Sequence, residues 1–165
     1  MRQLGAGWEP GIHRPPAPAN QIHVWSVEPD RQHRALRKVL ARYLDEDPSE
    51  IELREGTHGK PALADLSSPL RFNLSHSGDL ALVAVTQGRE VGVDIQKIKP
   101  RRDLAFYKAW TRREAIVKCA GTGLLAPPPP GPVAVTTLDA GSEYAAALAI
   151  AGDEPLSLRL FRLDD

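Results

Sequence analysis

The run Val91-Gly92-Val93-Asp94-Ile95-Gln96 places a carboxylate among residues that otherwise belong in a core. Read as a strand, it sends Val91, Val93 and Ile95 to one face and Gly92, Asp94 and Gln96 to the other. Such a strand needs a dry sheet face on one side and partners for a charge on the other, because an unpaired buried charge is very costly. Two further segments put polar groups into apolar surroundings: Phe72-Asn73-Leu74-Ser75-His76-Ser77-Gly78 and Trp110-Thr111-Arg112-Arg113-Glu114-Ala115-Ile116-Val117-Lys118. Polar residues inside apolar elements point to a site rather than a scaffold.

The 165 residues suffice for one core, shared by one domain or two small halves. Lysine plus arginine balances aspartate plus glutamate at 21 each, so no net field attracts nucleic acid or membrane. The charge is uneven, with eight basic residues between positions 97 and 118 against Asp103 and Glu114. That stretch suits either a solvated helix face or a surface for an anionic ligand or acidic partner. Cys119 is the only cysteine, which excludes a disulfide framework and a thiolate metal cluster. No run approaches a membrane span and no signal-peptide pattern opens the sequence. The expectation is a cytoplasmic protein with a Pro-rich flexible arm over residues 1–20.

Residues 22–27 alternate as a strand. A helix is expected from Pro29 and Asp30 to Pro48, with Leu36, Val39, Leu40, Tyr43 and Leu44 on its buried face. Strands are expected at 70–74, 80–86 and 91–96, with Gln87-Gly88 turning the last two into an antiparallel hairpin. Asp103 caps a helix over 104–120 that ends at Gly121, and four prolines at 127–130 form a stiff connector. Strands at 133–138, 144–150 and 156–163 complete the chain. The fold class is α+β, with mixed α/β elements.

Asp94 has two readings: an oxygen ligand for a divalent metal, with Gly92 admitting a close approach, or a strand-end acceptor of backbone hydrogen bonds. Glu114 and Lys118 are spaced for a helix-surface ion pair, although Trp110 on the same face argues for more. Ser75-His76-Ser77-Gly78 reads as a polar turn that is either ordinary or phosphate-binding. Lys60, between Gly59 and Pro61, is an exposed loop lysine or a phosphate contact. Cys119 is a small helix-end residue.

In this order, Gly59-Lys60-Pro61, Phe72 to Gly78, Gly92-Val93-Asp94-Ile95, and Trp-x-x-x-Glu-Ala-x-x-Lys followed by Gly-x-Gly-Leu resemble the 4′-phosphopantetheinyl transferases of the surfactin-synthetase-activating type. The resemblance implies a pseudo-dimer of two small α/β halves with mainly antiparallel strands, an amino-terminal half at 21–100 and a carboxyl-terminal half at 101–165. It implies magnesium-dependent transfer of phosphopantetheine from coenzyme A to a serine of an acyl or peptidyl carrier protein. The pathways such carriers serve make fatty acids, polyketides and nonribosomal peptides. Asp94 and Glu114 would be metal ligands, Glu114 would take the serine proton, and Lys118 would stabilise the pyrophosphate. Ser75 and His76, with Lys60 and its neighbours Gly59 and Pro61, would hold the nucleotide end, while Phe72, Asn73 and Trp110 shape the site.

Gln96 departs from the family, many of whose members carry an acid there; it is a neutral oxygen ligand at best, so weaker metal binding is expected. The segments 28–35, 97–109 and 125–143 are also shorter than in relatives. The alternative expectation is a weak or inactive homologue that binds coenzyme A or a carrier protein. Two halves in one chain favour a monomer.

Overall fold

Alternating apolar residues build two sheets that pack face to face, each with a helix on its outer side. The computed structural model describes residues 4–12, 20–30, 33–56, 59–121, 131–154 and 157–164. Arg31, residues 122–124, the prolines at 127–130 and Leu156 lie outside the described residues. The larger sheet contains β1 (Trp8–Pro10), β2 (Gln21–Val27), β5 (Leu70–Ser77), β6 (Leu80–Gln87) and β10 (Ser157–Arg162), in the order β1-β10-β2-β6-β5. The smaller sheet contains β7 (Val91–Lys97), β8 (Val133–Leu138) and β9 (Tyr144–Ala151), in the order β7-β9-β8. A short antiparallel pair, β3 (Leu53–Glu55) and β4 (Pro61–Leu63), stands apart. The helices are α1 (Arg34–Leu44) and α2 (Leu104–Ala120). No described helix is long and apolar enough to cross a membrane.

Strand alternation sorts the side chains into layers. Ile22 and Val24 of β2, with Leu80, Leu82 and Ala84 of β6, meet Val91, Val93 and Ile95 of β7 and Ala146, Leu148 and Ile150 of β9 between the sheets. The opposite face of β2 and β6, with Trp25, Val83 and Val85, receives Leu36, Val39 and Leu40 of α1. On the far side, α2 lays Ala115 and Cys119 on Ala147 and Ala149 of β9. These contact residues are small, so α2 lies close against its sheet. A side chain at Gly92 would collide with the Ala115 carbonyl oxygen and the Cys119 backbone nitrogen. Gly92 thus admits the helix backbone.

Four expectations change. The segments 80–87 and 91–97 do not pair as a hairpin: β6 is already bonded to β2 and β5, so β7 crosses to the other sheet and pairs with β9. The amino-terminal arm is not loose at residues 8–10, where β1 pairs in parallel with β10 and the Trp8 indole N–H donates to the Asp139 carbonyl at 2.6 Å. A boundary at residue 100 cuts both sheets, since β10 closes on β2 while β7 belongs with β8 and β9. Helix α1 begins at Arg34, four residues after Asp30, whose carboxylate accepts the Arg34 and Ala35 N–H groups at 2.8 Å each. It ends at the left-handed Asp45, before Pro48.

Both sheets share one connectivity. A strand, a helix and two further strands follow in order, β2-α1-β5-β6 (with β3 and β4 interposed) and β7-α2-β8-β9. In each, the last strand lies centrally, antiparallel to both neighbours.

A buried polar network sits under α1. The Trp25 indole N–H donates to the Tyr43 hydroxyl at 2.6 Å, and that hydroxyl meets His23 Nδ1 at 2.9 Å. Tyr43 therefore donates to Nδ1, and Nε2 carries the imidazole proton towards Gln21 Oε1 at 2.8 Å. Burial, reinforced by the charge of Arg159, lowers the His23 pKa from 6.5 to about 4. The unfolded chain thus binds the proton more readily. The His23 contribution is fully present above pH 6.5 and is lost as pH falls through about 4. Urea midpoints of the unaltered protein are expected to fall across that window, and His23→Gln is expected to flatten the fall.

Candidate active site

Three polar side chains of β5 close the free edge of β7. Asn73, Ser75 and Ser77 recur at every second residue and so share one strand face. Asn73 Oδ1 accepts the Val93 N–H at 2.8 Å, Ser75 Oγ the Ile95 N–H at 3.3 Å, and Ser77 Oγ the Lys97 N–H at 2.9 Å. These bonds satisfy β7 donors that face away from β9, and buried donors must find partners. They also hold β7 against β5 at the seam between the sheets, where Asp94 lies.

Asp94 is 2% exposed. Its Oδ1 accepts the Lys118 ammonium at 2.6 Å and the Ser75 hydroxyl at 3.1 Å, and its Oδ2 accepts the Gln96 amide at 3.3 Å. Lys118 also donates to Ser75 Oγ at 2.9 Å. The helix-surface pair that the spacing of Glu114 and Lys118 also allows gives way to this bond, because Lys118 lies over β7 and meets a buried carboxylate there. Glu114, one turn earlier on α2, keeps its Oε1 buried without a hydrogen-bond partner among the described residues. Burial, and after it the charge of Asp94, push the Glu114 pKa up, against opposing pulls from Lys118 and Arg113.

The structure thus brings Asp94, Gln96, Glu114, Lys118 and Ser75 together. It does not gather the nucleotide-end residues implied by the resemblance. Ser75 and His76 are consecutive on β5 and face opposite sides; neither lies in a turn, which is limited to Gly78 and Asp79. His76 is exposed and lines a cavity of about 320 Å³ with His33, Leu36 and Leu74. Lys60 lines a different cavity of about 420 Å³, with Arg54, Arg71 and Glu90. Its ammonium donates to the Lys118 carbonyl at 3.3 Å and the Val91 carbonyl at 3.5 Å, and burial lowers its pKa. Lys60 is therefore not an exposed loop lysine: it ties the carboxyl end of α2 to the start of β7. Gly59 precedes it in the loop, and Pro61 opens β4.

Trp110 is half-exposed and stacks on Phe106, with ring centroids 6.2 Å apart. The Cys119 thiol donates to the Glu90 carbonyl at 3.3 Å, and burial pushes its pKa up to about 11, which suits an inert packing residue. The backbone-holding roles of Asn73 and Ser77 are new. Their signal in the sequence is the period-two spacing of short polar residues along an otherwise apolar strand.

The described residues contain no group of three or more His, Cys, Asp and Glu side chains placed for a metal. The site offers a smaller all-oxygen set: the Asp94 and Glu114 carboxylates and the Gln96 amide oxygen. The unpartnered Glu114 Oε1 and the mutual repulsion of two carboxylates fit a hard divalent cation, which favours oxygen and keeps waters in its remaining positions.

No protein-family model matches the chain. Curated relatives do. It is 32% identical over 117 residues to the 4′-phosphopantetheinyl transferase HetI of Nostoc sp., covering 54% of this chain and 49% of that protein. It is 38% identical over 113 residues to the 4′-phosphopantetheinyl transferase AcpT of Salmonella typhi, covering 53% and 57%. To the 4′-phosphopantetheinyl transferase Sfp of Bacillus subtilis it is 30% identical over 116 residues, covering 56% and 51%. The chain spans about half the length of the curated relatives it matches. Over that span, it resembles the 4′-phosphopantetheinyl transferases.

Proposed function

We propose that this chain is a 4′-phosphopantetheinyl transferase of the holo-[acyl-carrier-protein] synthase type, moving phosphopantetheine from coenzyme A to a carrier-protein serine. The observation that carries the reading is the Asp94–Lys118 pair at 2.6 Å beside the buried, unpartnered Glu114 Oε1. In this reading Asp94, Glu114 and Gln96 hold Mg2+, which when bound offsets the negative charge of the pyrophosphate. Glu114 takes the proton of the carrier serine, and burial raises its pKa towards the range a general base needs. The serine oxygen bonds to the phosphorus bearing the pantetheine arm as the bond to adenosine 3′,5′-bisphosphate breaks. Lys118 supplies positive charge to the pyrophosphate and its leaving group.

The shared strand–helix–strand–strand connectivity supports a pseudo-dimer, and two such units in one chain support a monomer. A second reading, a coenzyme A-binding or carrier-binding homologue with little turnover, is favoured by the neutral amide at Gln96 beside Asp94 and by the short segment 97–109. Incubation with coenzyme A, Mg2+ and apo carrier proteins, followed by intact mass spectrometry, separates the two. The carrier is expected to gain one phosphopantetheine, and Asp94→Ala or Glu114→Ala to slow the gain by at least about 100-fold. Coenzyme A binding in calorimetry with no transfer to any of several carriers would establish the second reading.

A further inference from the structure

The two sheets are tied to each other at both edges, and the candidate site lies at one of them. Among the described residues, no strand of one sheet pairs with a strand of the other. At the site edge, side chains of β5 bond the backbone of β7. At the far edge, β1 is the outermost strand of the larger sheet, and the turn after β8 belongs to the smaller one. There the Asp139 carboxylate accepts the Ala6 and Gly141 N–H groups at 3.1 Å each, and the Asp139 carbonyl accepts the Trp8 indole N–H at 2.6 Å. Leu4 and Trp8 pack on the core between the sheets. A side chain at Gly5 would overlap the Asp139 carboxylate, so the backbone passes directly against it.

We propose that residues 4–10 are a clasp across the sandwich, with Asp139 as its catch, whose release lets the seam at the site open while each sheet stays intact. The clasp releases before the core does. Strand β1 has three residues, lies at a sheet edge and is joined to the smaller sheet by exposed hydrogen bonds. Short, exposed elements open at low free energy. A cavity of about 280 Å³ lined by Leu4, Leu80, Ala140 and Tyr144 leaves the apolar contact loose as well. The hold on the larger sheet is firmer, because β1 pairs with β10 and Glu9 meets Arg159 at 2.8 Å. With the clasp released, the bonds from β5 to β7 hold the seam without a second tie at the far edge. Asp94 of β7 meets Ser75 of β5, so a molecule lying across the seam touches both sheets. The clasp therefore sets how readily that cleft widens, whatever the site binds.

Amide exchange followed by NMR at increasing urea tests the inference, because the urea slope reports the surface exposed by each opening. Along β7 the Val93 and Ile95 N–H groups donate across the seam, whereas those of Asp94 and Gln96 face β9. In the unaltered protein the Trp8 indole N–H and the two seam amides are expected to share one slope, shallower than that of Asp94 and Gln96. Trp8→Phe removes the indole donor and keeps an aromatic ring. Gly5→Ala places a methyl group where the Asp139 carboxylate lies. Each is expected to speed exchange at Val93 and Ile95 by about fivefold, the effect of losing one hydrogen bond. Should a variant fail to fold, the slopes of the unaltered protein decide the matter alone. Different slopes for the indole and the seam amides would overturn the inference. So would seam amides that share the slope of Asp94 and Gln96, or folded clasp variants with unchanged exchange at Val93 and Ile95.

Discussion

Gly92→Ala is expected to lower the melting temperature by about 10 °C, and in a marginal preparation to prevent folding. The added methyl group has no space: it would overlap the Ala115 carbonyl oxygen and Cys119 backbone nitrogen, and would lie 3.0 Å from Cys119 Cα. These are backbone atoms of α2, so no rotamer change relieves them. The helix would have to lift from a surface built of Ala115, Cys119, Ala147 and Ala149. Overpacking a close interface costs up to about 3 kcal/mol, and sometimes more, which in a domain of this size is roughly 10 °C. Lifting α2 would also move Glu114 and Lys118 away from Asp94, so activity should fall further than stability. Gly88→Ala is the control. Gly88 has a positive φ of 72° but open space around its Cβ position, so only about 1–2 kcal/mol of backbone strain is expected. Equal losses in the two variants, measured by circular dichroism melts, would show that close approach is not the reason for Gly92.

Lys118→Met is expected to cost about 3 kcal/mol and to make the protein's stability depend on divalent cations. Asp94 is 2% exposed, and the lysine side chain, 29% exposed, is its only ion-pair partner among the described residues. Breaking a buried pair by removing one member strands the other charge, at a cost of about 3–5 kcal/mol. The partial exposure of Lys118 places this case at the low end of that range. The Ser75 hydroxyl and Gln96 amide remain on the carboxylate but bring no charge. Mn2+ should replace the missing cation, raising the melting temperature of the variant more than that of the unaltered protein. Asp94→Asn/Lys118→Met should recover much of the lost stability without that metal response. A variant as stable as the unaltered protein in metal-free buffer would show that the lysine does not stabilise Asp94.

These expectations mark how far the residues could be read in one dimension. Helix α2 runs from the Asp103 cap to Gly121 as its end signals require, with the Asp103 carboxylate accepting the Phe106 N–H at 2.8 Å. The buried stripe Leu36, Val39 and Leu40 of α1 and the two faces of β7 also follow from periodicity. Asp94, Glu114 and Lys118 stood out singly as charges where hydrocarbon is the rule, and the family resemblance implied that they form one group. The partner of Lys118 was not legible. A four-residue spacing proposes Glu114 by proximity along a helix, whereas the ammonium reaches across the interface to the Asp94 carboxylate, which is the more deeply buried of the two.

By itself, the sequence determined where the longer strands and the two helices lie, which face of each is dry, and which residues carry charge into the interior. Those properties depend on period, capping and composition within a few residues of chain. Only the tertiary structure decided that β7 leaves β6 for β9, that Ser75 and His76 serve opposite sides of one strand, and that Lys60 fastens α2 to β7. The physical reason is the same in each case. A strand edge or polar group takes whichever partner is still free once the other elements have packed, and that competition is settled between segments far apart in the chain.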